Sequence, residues 1–261
     1  MRVQSAVKYE KKGKQFGGKD YYACLMIKEG TREAILEAAD TVMKYDPDLV
    51  EWRLDYCLPM EDTDFAEKTL VGTARCLAER LGDIPLLITY RIKEEGGIRK
   101  YPRDLRLRMI QAVINTGCID FIDVEIGSDQ EYIDKIKDTC AKFDTKLILS
   151  YHNWETVPDD DFLLGRIETA LKKGADVPKL YLTANTYEDA MRVMRMALKV
   201  RKEKIVKGPM IFCGMSNTTL LTRAMGGDVA NDFGYFTITG DKGGVEEDII
   251  YYRQLKEAFD I

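Results

Sequence analysis

Histidine is nearly absent from this chain: 261 residues hold one, His152. A zinc site needs clustered Cys and His, and a single His cannot supply it. The six cysteines (Cys24, Cys57, Cys76, Cys118, Cys140, Cys213) are scattered and form no C-x-x-C pair. They read as reduced, mostly buried thiols of a cytoplasmic protein. Long apolar runs are missing too. None approaches the roughly 20 residues that a membrane span needs, and the polar start MRVQSAVKYEKKGKQ does not read as a signal peptide. Surplus positive charge is also lacking. The net charge of -5 speaks against a nucleic-acid surface, where Lys and Arg must be concentrated. What is present is an ordinary globular composition, 45% hydrophobic and 32% charged, long enough to bury a sizeable core.

The first twenty residues are polar and rich in Gly and Lys. They suggest a hairpin with KKGK near its turn, an extension outside the main fold whose default place is over the bottom of it. From Tyr21 onward a rhythm sets in. YYACLMI reads as a strand, and TREAILEAADTVMKY as a helix with Ala34, Ile35, Ala38 and Val42 on one face. The pairs continue with LVEWRLD, IPLLITYR, IDFIDVEI, TKLILSYH, VPKLYLTA, PMIFCGM and FGYFTIT, each followed by a helical pattern. The strands are short, nearly continuous apolar runs, as expected where both faces are buried. Eight βα units in about 250 residues fit an α/β fold of the (β/α)8 TIM-barrel type. A doubly wound open sheet would usually carry a glycine fingerprint after its first strand, and MIKEGTREA has none. With no linker or composition break, residues 1–261 read as one barrel domain, with 1–20 as its extension.

Active sites of such barrels lie at the C-terminal ends of the strands. There the apolar runs are broken by ionisable residues: Glu51, Arg53 and Asp55 at alternate positions, Arg91 with Glu94 and Glu95 beyond it, Asp123 and Glu125 at period two, His152, and Lys179 among apolar neighbours. Each alone has an ordinary structural explanation, such as a salt bridge, a hydrogen-bonded histidine or a snorkelling lysine. Together they put charge at the same end of five consecutive strands. That burial is costly unless the charges are paired or functional.

The residue types suggest a chemistry. A lysine in an apolar barrel has its ammonium form disfavoured, so its pKa is expected to fall. The neutral amine can attack a ketone or aldehyde to form a Schiff base. The protonated imine acidifies the adjacent C–H, and an imidazole can take and return that proton. A neighbouring carboxylate would fix the imidazole, and arginines would hold an acidic substrate. The residues therefore point to a cofactor-free lyase or aldolase acting on a carbonyl compound that bears a carboxylate.

The motifs DLVEWRLD, ITYRIKEEGG, IDFIDVEI, LSYHNWETVP, GADVPKLYLTA and MSNTTLLTR, in this order, resemble the type I 3-dehydroquinate dehydratases of the shikimate pathway, from about Tyr22 to about Ile250. The resemblance implies a barrel that converts 3-dehydroquinate to 3-dehydroshikimate by syn elimination through an imine and an enamine. Lys179 then resembles the Schiff-base lysine, His152 the general base and acid, and Glu95 the acidic residue near that histidine. Glu51 and Arg53 match the pair facing the substrate hydroxyls, Arg91 the arginine of the third strand, and Arg223 the residue that grips the carboxylate. The implied partner is a small carboxylated cyclic ketone, with no metal, no nucleotide, no nucleic acid and no membrane. The family is commonly dimeric, so the resemblance also implies a homodimer.

One stretch departs from the family. After the eighth strand the family usually reads S-A-P-G-Q, and its Ser and Gln close over the substrate. This chain has TGDKGGVEED, with Gly240 and Gly244 at those positions and neither hydrogen-bonding side chain. Thr239, Asp241 and Lys242 are the candidates to take over, Thr239 and Lys242 as substrate-binding residues, and the glycines suggest a mobile lid. Thr219 also stands where the family has Gly. Three readings stay open: unchanged activity, the same imine chemistry on a related carboxylated cyclic ketone, or a barrel that binds a shikimate-type ligand without turning it over.

Overall fold

The computed structural model describes residues 3–57, 63–216, 220–238 and 247–259. The chain opens with an antiparallel hairpin, β1 (Tyr9–Lys11) and β2 (Lys14–Phe16). Its two-residue turn is Lys12-Gly13, both at positive φ (46° and 77°), the twist that suits a tight hairpin. Eight parallel strands follow: β3 (Tyr22–Ile27), β4 (Leu49–Arg53), β5 (Leu86–Thr89), β6 (Phe121–Glu125), β7 (Lys146–Asn153), β8 (Val177–Thr183), β9 (Ile211–Met215) and β10 (Phe233–Thr237). Between them run α1 (Arg32–Met43), α2 (Thr63–Leu81), α3 (Arg103–Ile114), α4 (Gln130–Ala141), α5 (Asp160–Lys172), α6 (Tyr187–Lys202) and the short α7 (Leu220–Ala224). A two-residue β11 (Glu247–Asp248) and α8 (Ile249–Phe259) end the described chain. This is a (β/α)8 barrel. Among the described residues, no helix is long and apolar enough to cross a membrane.

The helix starts come from local chemistry. Thr31, Asp129, Asp159 and Thr186 each stand just before a helix and accept a backbone N–H of its first turn. The strands alternate. Ala23, Leu25, Val50, Trp52, Ile88 and Ile122 face the helices, while Tyr22, Cys24, Leu49, Leu87, Phe121 and Ile148 fill the lumen. Two residues further along β4, β6, β7 and β8, the lumen-facing positions change character. Leu49 is followed by Glu51 and Arg53, Phe121 by Asp123 and Glu125, Ile148 by Ser150 and His152, and Val177 by Lys179 and Tyr181. The lumen is thus apolar below and ionisable above.

The hairpin is no mere appendage. Phe16 is fully buried, its ring 4.7 Å from Phe121, 4.9 Å from Tyr22 and 6.0 Å from Phe233. It stoppers the lower mouth, while Lys11, Lys12 and Lys14 reach Asp144, the Ile84 carbonyl and Asp48 of the loops there. The position over the barrel's bottom agrees with expectation. The placement outside the main fold does not, because Phe16 is part of the core.

The ladder runs unbroken from β10 through β3 to β9. At the β9–β10 seam side chains stand in for it. The Asn231 amide donates to the Phe212 carbonyl at 2.8 Å and accepts the Phe212 N–H at 2.7 Å. Asp232 accepts the Met210 N–H at 2.8 Å. Arg223 donates to the carbonyls of Gly214 on β9 and Tyr235 on β10. A guanidinium bridging two carbonyls thus supplements the backbone bond from the Asp232 N–H to the Met210 carbonyl, 3.0 Å, at the base of the seam.

Candidate active site

The strand ends surround a cleft lined by Glu51, Arg53, Arg91, Glu95, His152 and Lys179, with Met26, Trp154, Tyr181 and Tyr235 between them. Lys179 is buried at its floor. Its Nζ lies 2.7 Å from Asp123 Oδ2 and 2.8 Å from the Tyr235 hydroxyl. The expectation of apolar neighbours is corrected here: the lysine is in an ion pair. Asp123 also meets Arg91 Nη2 at 2.8 Å and accepts from Ser150 Oγ. Arg91 in turn donates to Glu125 at 2.8 Å and Ser150 at 2.8 Å. Burial opposes ionisation of Asp123, but the charges of Arg91 and Lys179 outweigh it and hold the carboxyl well below the usual range. Burial likewise opposes the Arg91 cation, and Asp123 and Glu125 more than restore it. Pairing on every side makes this cluster tolerable inside a barrel.

A second cluster holds the histidine. Glu95 follows β5 in a short 3-10 turn, and its Oε2 accepts both the His152 backbone N–H at 3.0 Å and the ring Nδ1 at 2.9 Å. Two bonds from one carboxylate fix the ring plane and select the Nδ1–H form, leaving the lone pair on Nε2. Burial, reinforced by the charges of Arg91 and Lys179, lowers the imidazole well below its usual range, so the ring is neutral and able to accept a proton. Burial pushes Glu95 up to about 7, against the pull of Arg91. The turn is capped by Gly96 at φ +94°, directly under the Trp154 indole.

On the opposite wall, Glu51 is buried and accepts from Thr89 Oγ1. Arg53 is gripped by Asp55 through Nε and Nη2, both at 2.8 Å. The expectation that Asp55 continues the alternation of Glu51 and Arg53 is corrected: β4 ends at Arg53, and Asp55 sits in a 3-10 turn. From there it also accepts the N–H groups of Arg91 and Ile98, tying two loops beneath Arg53. Glu94, next to the useful Glu95, points outward to Lys100 at 3.2 Å.

The structure therefore brings Lys179, His152, Glu95, Glu51, Arg53 and Arg91 to one cleft. Arg223 is different. It is fully buried in the seam, and besides the two carbonyls it donates to the Tyr181 hydroxyl at 2.6 Å. It adjoins the cleft through Tyr181, and its Nη1 and Nη2 make these three bonds. Thr239 and Lys242, like Thr219 and the rest of TGDKGG, lie outside the described residues. Ser150, Tyr181, Tyr235 and Trp154 were not singled out from the sequence. Period two along β7 and β8 would have found the first two, since Ser150 precedes His152 and Tyr181 follows Lys179 on the lumen side. Among the described residues, no group of three or more His, Cys, Asp or Glu is arranged to hold a metal ion.

The model of the type I 3-dehydroquinase family matches residues 23–244. The chain belongs to that family, a family of hydro-lyases. Among the curated 3-dehydroquinate dehydratases, that of Alkaliphilus oremlandii is 31% identical over 214 residues, covering 82% of each chain. That of Geobacillus thermodenitrificans is 28% identical over 213 residues, covering 81% of this chain and 80% of the other. The crystal structure of the Geobacillus kaustophilus 3-dehydroquinate dehydratase superposes with a TM-score of 0.91 at 23% identity, over 100% of this chain and 98% of that one. The Clostridium difficile type I enzyme, solved with covalently modified comenic acid, gives 0.89 at 22% identity, over 97% and 98% of the two chains. As a type I 3-dehydroquinase, the chain keeps the barrel of these relatives over almost its whole length.

Proposed function

We propose that this type I 3-dehydroquinase dehydrates 3-dehydroquinate to 3-dehydroshikimate through an imine on Lys179. One observation carries the reading: a buried amine and a neutral imidazole, fixed by Glu95, open on the same cleft. The Lys179 amine attacks the C3 ketone and water leaves. The iminium withdraws electrons from C2, and His152 Nε2 takes the C2 proton, giving an enamine. The enamine expels the C1 hydroxyl, which takes a proton from His152 and departs as water. Hydrolysis then frees the product and restores the amine. Arg91 and Asp123 stay ionised throughout and set the field around the nitrogen. Glu51 and Arg53 face the substrate hydroxyls. Arg223, next to Tyr181 of the cleft, grips the carboxylate, with Thr239 and Lys242 as further substrate contacts. The chemistry uses no metal or nucleotide. A homodimer, working in the cytoplasm on the shikimate pathway, belongs to the same proposal.

Borohydride reduction in the presence of 3-dehydroquinate, read by mass spectrometry, should add one ligand mass at Lys179. His152→Ala should still be trapped but yield no product. An adduct with poor turnover of 3-dehydroquinate would point to a related cyclic keto acid as substrate. Absence of any adduct, with a fully active Lys179→Ala variant, would reject the imine.

A further inference from the structure

Asp55 is fully buried, and its carboxylate accepts four hydrogen bonds. Oδ1 takes Arg53 Nε at 2.8 Å and the Arg91 N–H at 3.3 Å. Oδ2 takes Arg53 Nη2 at 2.8 Å and the Ile98 N–H at 3.3 Å. Each oxygen thus serves the arginine and the backbone at once. Burial opposes the Arg53 cation, and the bonds and charge of Asp55 more than restore it. Arg53 is held by Nε and Nη2, and Nη1 remains for the cleft that it lines.

The backbone partners are the two ends of the loop that carries Glu95. The neck of this loop is narrow. The Gly97 N–H donates to the Ile92 carbonyl at 2.9 Å, and a Cβ on Gly97 would lie 1.9 Å from the Arg91 carbonyl oxygen. Asp55 closes the neck from the β4 side. Glu125 meets it from the β6 side by accepting the Ile92 N–H at 3.0 Å. Just beyond, the Tyr90 hydroxyl donates to the Arg99 carbonyl at 3.1 Å and accepts the Tyr101 N–H at 3.2 Å. From between the clasped ends, Glu95 reaches the His152 backbone and ring.

We propose that Asp55 is a positioning residue that couples the two sides of the cleft: one carboxylate aims Arg53 at the substrate and closes the neck of the loop from which Glu95 orients His152. The inference rests on the reading of Arg53, Glu95 and His152 given above. Asp55 touches no reacting atom and acts by geometry. When the neck opens, the tip of the loop moves, and Glu95 carries the imidazole with it. A misplacement of about 1 Å at a reacting group costs up to about a hundredfold in rate. The nearby carboxylates have other work. Glu125 holds the Arg91 side chain, and Glu51 accepts from Thr89.

Asp55→Asn keeps the shape but accepts through one oxygen and turns an NH2 toward the other pair of donors. It should raise KM for 3-dehydroquinate about tenfold and lower kcat about tenfold. Double-mutant cycles divide the two effects. With Glu95→Gln in place, Asp55→Asn should lower kcat by less than about twofold, as expected when both act through one group. With Arg53→Met in place, it should leave KM within about twofold, while the loss of kcat persists. This last pair removes both members of a buried ion pair, so it folds without uncompensated charge even where Asp55→Asn alone does not. The Nδ1 resonance of His152, the one histidine, supplies a readout that needs no turnover. It should shift between Arg53→Met and the double variant Asp55→Asn/Arg53→Met. A role confined to stability would lower the unfolding midpoint, leave the cycles additive and leave the His152 signal in place. That result overturns the coupling. A parent that gives neither product nor borohydride adduct from 3-dehydroquinate removes the proposed function instead. The His152 signal then decides the coupling alone: a shift upholds it, and an unmoved signal ends it.

Discussion

The two ends of the barrel are built by opposite rules. The lower end is closed by ring against ring, with Phe16, Tyr22, Phe121 and Phe233 meeting in a sealed apolar layer. The upper end buries Arg91, Asp123, Glu125, Lys179 and His152, held by ion pairs and hydrogen bonds. On β4, β6, β7 and β8 the switch takes two residues. Apolar contact supplies stability without direction, whereas buried charge supplies direction with little net stability. Stability should therefore respond to changes below, and chemistry to changes above.

The sharpest way to break this contrast is a pair of substitutions. Lys179→Ala should lower kcat by as much as about 10⁶-fold, the scale of losing a catalytic nucleophile. Its denaturant midpoint should move little, because Asp123 keeps Arg91 and Ser150 as partners. Phe16→Ala should do the reverse. Truncating a fully buried Phe costs about 3–5 kcal/mol, with kcat unchanged. Equilibrium unfolding and steady-state rates on both variants decide the matter. A large stability loss in the lysine variant, or an activity loss in the phenylalanine variant under folding conditions, would merge the two ends.

The pH dependence belongs to the upper end alone. Glu95 is pushed up to about 7 by burial, so its anion prevails above that value and its acid form below. Protonated, Glu95 is a weaker acceptor for the His152 Nδ1–H and no longer stabilises the imidazolium that forms when the ring takes a proton. We expect kcat/KM to fall by about tenfold per pH unit as pH drops below about 7, the slope of one proton taken up. The imidazole should remain neutral across that range, since its own value lies well below the ordinary one. His152 is the only histidine, so any imidazole signal in an NMR titration reports it. Glu95→Gln should flatten the profile. An imidazole that titrates together with the activity would move the proton from Glu95 to His152.

The barrel was legible because strand and helix follow local patterns: apolar runs, a helical period and capping residues such as Thr31, Asp129 and Thr186. The cleft was largely legible too, because strand ends collect at one mouth and each strand's period fixes which side chains face inward. What stayed hidden depended on partners from distant strands. Nothing in MSNTTLLTR says that Arg223 also bridges carbonyls of β9 and β10. Lys179 reads as a lysine among apolar residues because Asp123 is 56 positions away. Asp55 was misplaced because nothing in LVEWRLD says that the strand stops at Arg53. Phe16 looks like one aromatic in a polar tail, and only the mouth of the barrel explains its burial.

The smallest effects should come from glycine, and they test the contrast at its most local. Gly96 and Gly17 both have positive φ, +94° and +86°. Alanine at either costs roughly 1–2 kcal/mol in backbone terms alone. The surroundings then separate them. A Cβ on Gly96 would lie 2.4 Å from Trp154 Cζ2, and the indole is half exposed and can swing out. A Cβ on Gly17 would lie 2.9 Å from Ser5 Cβ and 2.9 Å from the Val7 carbonyl, in the strap that seats Phe16. Gly96→Ala should therefore shift Trp154 emission, tilt the turn that carries Glu95 and lower kcat about tenfold, with a near-normal unfolding midpoint. Gly17→Ala should lower the midpoint and leave kcat alone. Trp52 is fully buried, so a change in exposed tryptophan emission reports Trp154. If Gly96→Ala proves the less stable variant and Gly17→Ala the less active, the division of labour between the two ends is wrong. The two strained glycines would then serve one cooperative unit, and the charged mouth would help hold the barrel together.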